Sequence, residues 1–127
     1  MENLTPQEEQ LITQIYASEQ MIDEVMSLLD IAEDEEILML SVRASFEKKL
    51  SEFIALTIME NMNFAQLEHF KNYSQQKFVT AEWMSHDDIT MEFALSYPDL
   101  NEAVMKAIPG FLNDFVEGFN EAMKFNN

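Results

Sequence analysis

The sequence predicts an all-α fold, and three observations carry that expectation. Apolar residues recur every three or four positions along most of the chain. Breakers are scarce, with two glycines and three prolines in 127 residues, which argues against a turn-rich all-β fold. Residues that cap helix N-termini stand in front of successive apolar runs. Together they predict a compact bundle of five or six helices with short connections, forming a single helical domain over residues 1–127.

The first helix opens at Thr5-Pro6-Gln7-Glu8. Thr5 caps, Pro6 sits where its missing N–H is harmless, and Glu8 completes a capping box. Leu11, Ile12, Ile15, Met21, Ile22, Val25, Met26 and Leu29 form its apolar stripe, while Glu8, Glu9, Glu19, Asp23 and Glu24 fall mostly elsewhere. The stripe weakens at Ala17-Ser18, which leaves open one helix or two. Asp30 to Asp34 reads as a connector. A long helix follows from about Glu35 to Met62, with Met39, Val42, Phe46, Leu50, Phe53, Ile54 and Ile58 on its stripe and Arg43, Lys48 and Lys49 off it.

Asn63-Phe64-Ala65-Gln66 is a second capping box, and Phe64, Leu67, Phe70 and Tyr73 continue at helical spacing. Ser74 to Met84 fits either the tail of that helix or a brief extended stretch. Ser85-His86-Asp87-Asp88 caps the next helix and places acids in its first turn, where the helix dipole favours them. Ile89, Met91, Phe93, Ala94 and Tyr97 form its face, and Pro98 ends it. Pro98 and Pro109, each followed by an acid and an apolar face, read as two further helix starts. The last helix, from Gly110 to about Lys124, carries Phe111, Leu112, Phe115, Val116, Phe119 and Met123 on one broad face.

Charge narrows the function. No lysine or arginine precedes Arg43, a stretch that holds eleven carboxylates, and the chain as a whole sets 24 acids against 7 bases for a net charge of −17. Phosphate backbones and anionic lipid surfaces need positive charge on their protein partner, so direct nucleic-acid or membrane binding is not expected. The N-terminal MENLTPQEEQ lacks the basic and apolar regions of a secretory signal, and the apolar run Phe53 to Met59 falls far short of the ~20 residues that span a bilayer. A soluble, cytoplasmic protein is the expectation. With no cysteine, neither disulfides nor thiolate chemistry contributes.

Motifs for chemistry are missing where they would be sought. The acids Asp30, Glu33, Asp34, Glu35 and Glu36 resemble a calcium loop in composition, but no glycine occurs before Gly110 to make the bend an EF-hand needs. They read instead as a solvated helix start. A di-metal bundle wants Glu-x-x-His pairs; the residue three before His69 is Gln66 and three before His86 is Trp83. No nucleophile, base and orienting acid are spaced as a catalytic set. The expectation is therefore a non-enzyme without metal or cofactor.

Methionine and phenylalanine point elsewhere. Ten of each occur, mainly on or beside the stripes. Such side chains fill cores, and they also line adaptable binding grooves. Phe111, Phe115, Phe119 and Met123 are the candidate partner-binding residues, with closure of the bundle as the competing reading. The functional expectation is a non-catalytic interaction module that binds a protein partner, a basic one or a second copy of itself, through an apolar helix face. The alternative is an acidic mimic of nucleic acid that inhibits a DNA- or RNA-binding protein, with the acidic outer positions of the first helix as its surface.

The connector Leu29-Asp30-Ile31, the long helix, the step from Met62-Asn63-Phe64 to Phe70 and the late Ile108-Pro109-Gly110-Phe111 carry one likeness. From about Leu28 to Phe119 the chain resembles a bacterial family of small, acidic, all-helical domains of uncharacterised function. That resemblance implies a helical fold and no activity, so it transfers no site residues.

Overall fold

A computed structural model describes residues 19–81 and 83–125; among these the chain is all-α, with five helices, short connections and no strand. The proposed cap at Thr5 and Pro6, the stripe residues Leu11, Ile12 and Ile15, and the weak point at Ala17-Ser18 lie outside the described residues. α1 covers residues 19–28, and α2 is Glu36–Asn61, α3 Phe64–Thr80, α4 His86–Ala94 and α5 Pro98–Phe125. Two compact units divide the described residues: 19–50 with 109–125, and those within 51–108.

In the first unit, the stripe of α1 is buried as its spacing requires: Ile22, Val25 and Met26, followed by Leu29 just past the helix. The connector after it carries the exposed acids Asp30, Glu33, Asp34, Glu35 and Glu36, and Glu36 sits in the first turn of α2. Phe46 on α2 has no solvent exposure. Its ring lies 6.1 Å from Phe111 and 4.7 Å from Phe115, both on α5. Asn120 ties the two segments of this unit together. Its Oδ1 accepts from the Asp30 amide at 2.9 Å, and its Nδ2 donates to the Leu28 carbonyl at 3.2 Å. One amide side chain thus satisfies groups on both sides of the α1 C-terminus.

In the second unit, Asn63 and Gln66 form the expected capping box. Asn63 Oδ1 accepts from the Gln66 amide at 2.8 Å, and Gln66 Oε1 accepts from the Asn63 amide at 2.9 Å. Ser85 caps α4 through the Asp88 amide. The core gathers Phe70 from α3 with Ile89 and Phe93 from α4, and Met59, Met62, Tyr73, Met84 and Tyr97 pack around them. The ambiguous stretch after Ser74 resolves as helix to Thr80 and then a turn. Asn101, buried in α5, donates to the Ala94 carbonyl at 3.1 Å and so closes the end of α4.

One expectation needs correction. Pro109 does not start a helix; it lies inside α5, which runs unbroken from Pro98 to Phe125. A proline in a helix interior loses one backbone hydrogen bond and crowds the carbonyl four residues back, at a cost of about 3 kcal/mol. The apolar stripe continues across it through Leu100, Val104, Ile108, Phe111 and Phe115, and Pro109 itself faces solvent. Burial of a continuous stripe therefore outweighs the local helix-start chemistry. Pro98 behaves as expected: it is the first residue of α5, with the Tyr97 carbonyl accepting from Leu100 and Asn101.

Candidate functional site

The predicted partner face lies on α5 with the four-residue spacing that puts Phe111, Phe115, Phe119 and Met123 along one line. All four are half-buried. Phe111 and Phe115 are held against Phe46, and Lys49 Nζ sits 5.9 Å from the centre of the Phe115 ring. At least the first half of this face is thus committed to the packing of its own unit.

Large apolar side chains reach solvent at several places among the described residues, including Ile37 and Leu40 on α2, Phe64 on α3 and Met105 and Phe125 on α5. Phe78, Val79 and Trp83 are 58%, 79% and 83% exposed, clustered in sequence at the end of α3 and the turn after it. Periodicity missed them because that stretch fitted no single period. The exposure has a local cause. Ala81 is buried and its amide closes α3 onto the Lys77 carbonyl at 2.8 Å. Residues 78 and 79 are therefore left on the outer side of the last helical turn.

Beside them, Tyr73, Lys77 and Glu92 form a polar link between α3 and α4. Tyr73 Oη donates to Glu92 Oε1 at 2.7 Å, and Lys77 Nζ lies 3.0 Å from the same oxygen. The Tyr73 bond, helped by Lys77 and opposed by partial burial, holds the Glu92 carboxyl below its ordinary value. Burial first, then the Glu92 bond and charge, pushes the Tyr73 phenol well above its ordinary value. The link joins α3 to α4 through one carboxylate oxygen shared by a phenol and an ammonium group. Sequence gave no signal for it, since Tyr73 and Glu92 lie 19 positions apart.

The histidines occupy the same unit without converging. The His69 Nδ1 hydrogen-bonds the Tyr97 hydroxyl, and His86, first residue of α4, meets Phe70 edge-on at 6.4 Å. Among the described residues no three histidines, aspartates or glutamates are grouped to hold a metal ion.

This unit also has a shallow surface concavity. An open groove of about 590 Å³ runs between Phe53–Asn61 of α2 and Asp99–Ala107 of α5. Its lining includes the apolar Phe53, Ala103 and Ala107, the polar Thr57 and Asn61, and the charged Glu60, Asp99, Glu102 and Lys106. Asp99 accepts from the buried Gln66 Nε2 at 3.1 and 3.3 Å, and Lys106 pairs with Glu102 at 3.0 Å. Among the described residues no helix is long and apolar enough to cross a membrane. No protein-family model matches the chain, and no curated protein or solved structure matches it.

Proposed function

We propose that this chain is a non-catalytic, cytoplasmic protein-interaction module. The observation that carries this reading is the exposed trio Phe78, Val79 and Trp83. Aromatic side chains of this kind, tryptophan above all, dominate the energetics of protein contacts when a partner buries them. Burying one such side chain is worth about 1.5–3 kcal/mol. The reading transfers the docking role from the Phe111 and Phe115 face, which packs on Phe46, to the end of α3.

A photo-reactive amino acid placed at position 79, with a matched one at the exposed Glu33 as control, tests it in cells. A discrete cross-linked product from position 79 and none from position 33 is the expected result. Equal labelling from both sites would end the proposal. The sole tryptophan adds a solution readout for pairing with a second copy, since Trp83 emission should shift to the blue as concentration rises if two chains bury it. The net charge of −17 supports an alternative, an acidic mimic that occupies the basic cleft of a nucleic-acid-binding protein. The two readings part on salt. A mimic releases its partner as ionic strength rises, whereas a partner held by Trp83 and its neighbours stays bound.

A further inference from the structure

We propose that the groove between α2 and α5 seats a short basic segment of a partner protein, with an apolar side chain on its floor and an ammonium or guanidinium group at its acidic end. This rests on the reading of the chain as an interaction module, and it names the place and the chemistry of one contact. Ala103 and Ala107 stand one helical turn apart, and neither reaches beyond its Cβ, which keeps the α5 wall of the groove low. The two walls, Phe53–Asn61 and Asp99–Ala107, are each about 12 Å long at the helical rise, or about two turns of chain. A volume of about 590 Å³ falls within the range of binding clefts.

Charge selects the occupant. Glu60, Asp99 and Glu102 face one cation, Lys106, which Glu102 already engages. Glu60 also stands in the last turn of α2, the negative end of the helix dipole, where no basic residue is present. A second copy of this chain would bring a further charge of −17. A cationic segment meets the potential with the complementary sign.

The test uses the full chain and a defined probe, an acetylated peptide of three Leu-Lys-Lys-Leu repeats, with binding followed by fluorescence anisotropy and amide chemical shifts. Filling the floor with A103L/A107L should weaken binding about tenfold, the value of one lost apolar contact. E60Q/E102Q, which leaves the floor intact, should weaken it by a similar ~10-fold at moderate salt. The distant pair E33Q/E35Q should change it by less than about twofold. Shifts should concentrate at residues 53–61 and 99–107. The proposal falls if the distant pair weakens binding as much as the groove pair, or if the filled floor binds unchanged. It falls equally if spermine, cationic but without apolar side chains, competes as well as the peptide. A peptide that perturbs the Trp83 indole while the groove amides stay still overturns the groove and leaves the interaction reading standing.

Discussion

Gln66 offers the sharpest test of how the second unit is held. Its side chain is buried, its Oε1 completes the capping box of α3, and its Nε2 reaches both carboxylate oxygens of Asp99 at 3.1 and 3.3 Å. Gln66→Glu keeps the shape and the capping bond, and the new charge at the α3 N-terminus gains about 0.5 kcal/mol from the helix dipole. Against that gain, the donor to Asp99 is lost, and a bond to a charged acceptor is worth about 1.5–3 kcal/mol. Two carboxylates also meet near contact distance. Their repulsion is about 4 kcal/mol at 4 Å and an effective dielectric constant of 20, and roughly half that is a fair figure because Asp99 is open to solvent. The net expectation is a loss of about 3 kcal/mol.

Urea unfolding at neutral pH reads that loss as a midpoint lowered by about 1–2 M, with the slope unchanged. The companion variant Asp99→Asn separates the mechanism from general damage. In Q66E/D99N the donor and acceptor exchange places, so the bond returns and the repulsion is gone. A double-mutant cycle should give a coupling of about 2–3 kcal/mol in the rescuing direction. A coupling under about 0.5 kcal/mol, or a Q66E variant as stable as the parent, would refute the role assigned to this contact.

Other expectations follow from single contacts. Asn120→Asp keeps the bond from the Asp30 amide but turns the donor to the Leu28 carbonyl into a carboxylate at the negative end of α1. It should cost about 1–2 kcal/mol in urea titration, and a neutral outcome would remove Asn120 from the account. Gly110 and Gly118 lie inside α5 with nothing within 4 Å of where a Cβ would sit, and neither has a positive φ. Alanine at each should stabilise by about 0.5–1 kcal/mol and raise Tm by a few degrees in calorimetry; an unchanged or lower Tm contradicts it. Because the folded state raises the Tyr73 phenol above its ordinary 10.0, the stability it contributes is complete below that pH and fades as pH climbs beyond it. Glu92, lowered from 4.5, contributes above that value and loses its share as pH falls through its folded range. Tyr73→Phe should therefore lose less stability than the parent between pH 8 and pH 11, two values bracketing the ordinary phenol range, and parallel losses in denaturant titrations would count against the link.

The contacts that sequence revealed are the local ones. Asn63 and Gln66 are three positions apart, and so are Ser85 and Asp88, so the backbone geometry of a helix start fixes each cap without reference to the rest of the chain. The same locality explains the misreading at Pro109. Its flanking residues carry helix-start chemistry, but the stripe from Leu100 to Phe115 extends beyond the window in which that chemistry is read. Long-range pairs left no trace. Gln66 meets Asp99 across 33 positions and Asn120 meets Asp30 across 90, and single residues of these types are unremarkable in a linear pattern. The phenylalanine face of α5 was legible as apolar, yet which way it pointed depended on Phe46, a residue on another helix. The exposed Trp83 was hidden for a different reason: it follows a buried Ala81 in a turn, where neither helical nor strand periodicity applies.

The surplus of carboxylate is not explained by the fold itself. The ion pairs among the described residues engage Arg43, Lys71, Lys77 and Lys106, four of the chain's seven bases. Most of these side chains are more than a third exposed, where a pair contributes about 0–1 kcal/mol. Most of the 24 acids thus have no cation to answer them, and their mutual repulsion opposes compaction. The described cores are held by apolar side chains, Phe46 in one unit and Phe70, Ile89 and Phe93 in the other, which would pack as well beneath a balanced surface. The packing does not require that charge, and the charge works against it. Glu60, Asp99 and Glu102 beside the groove between α2 and α5 belong to that surplus, against one cation, Lys106.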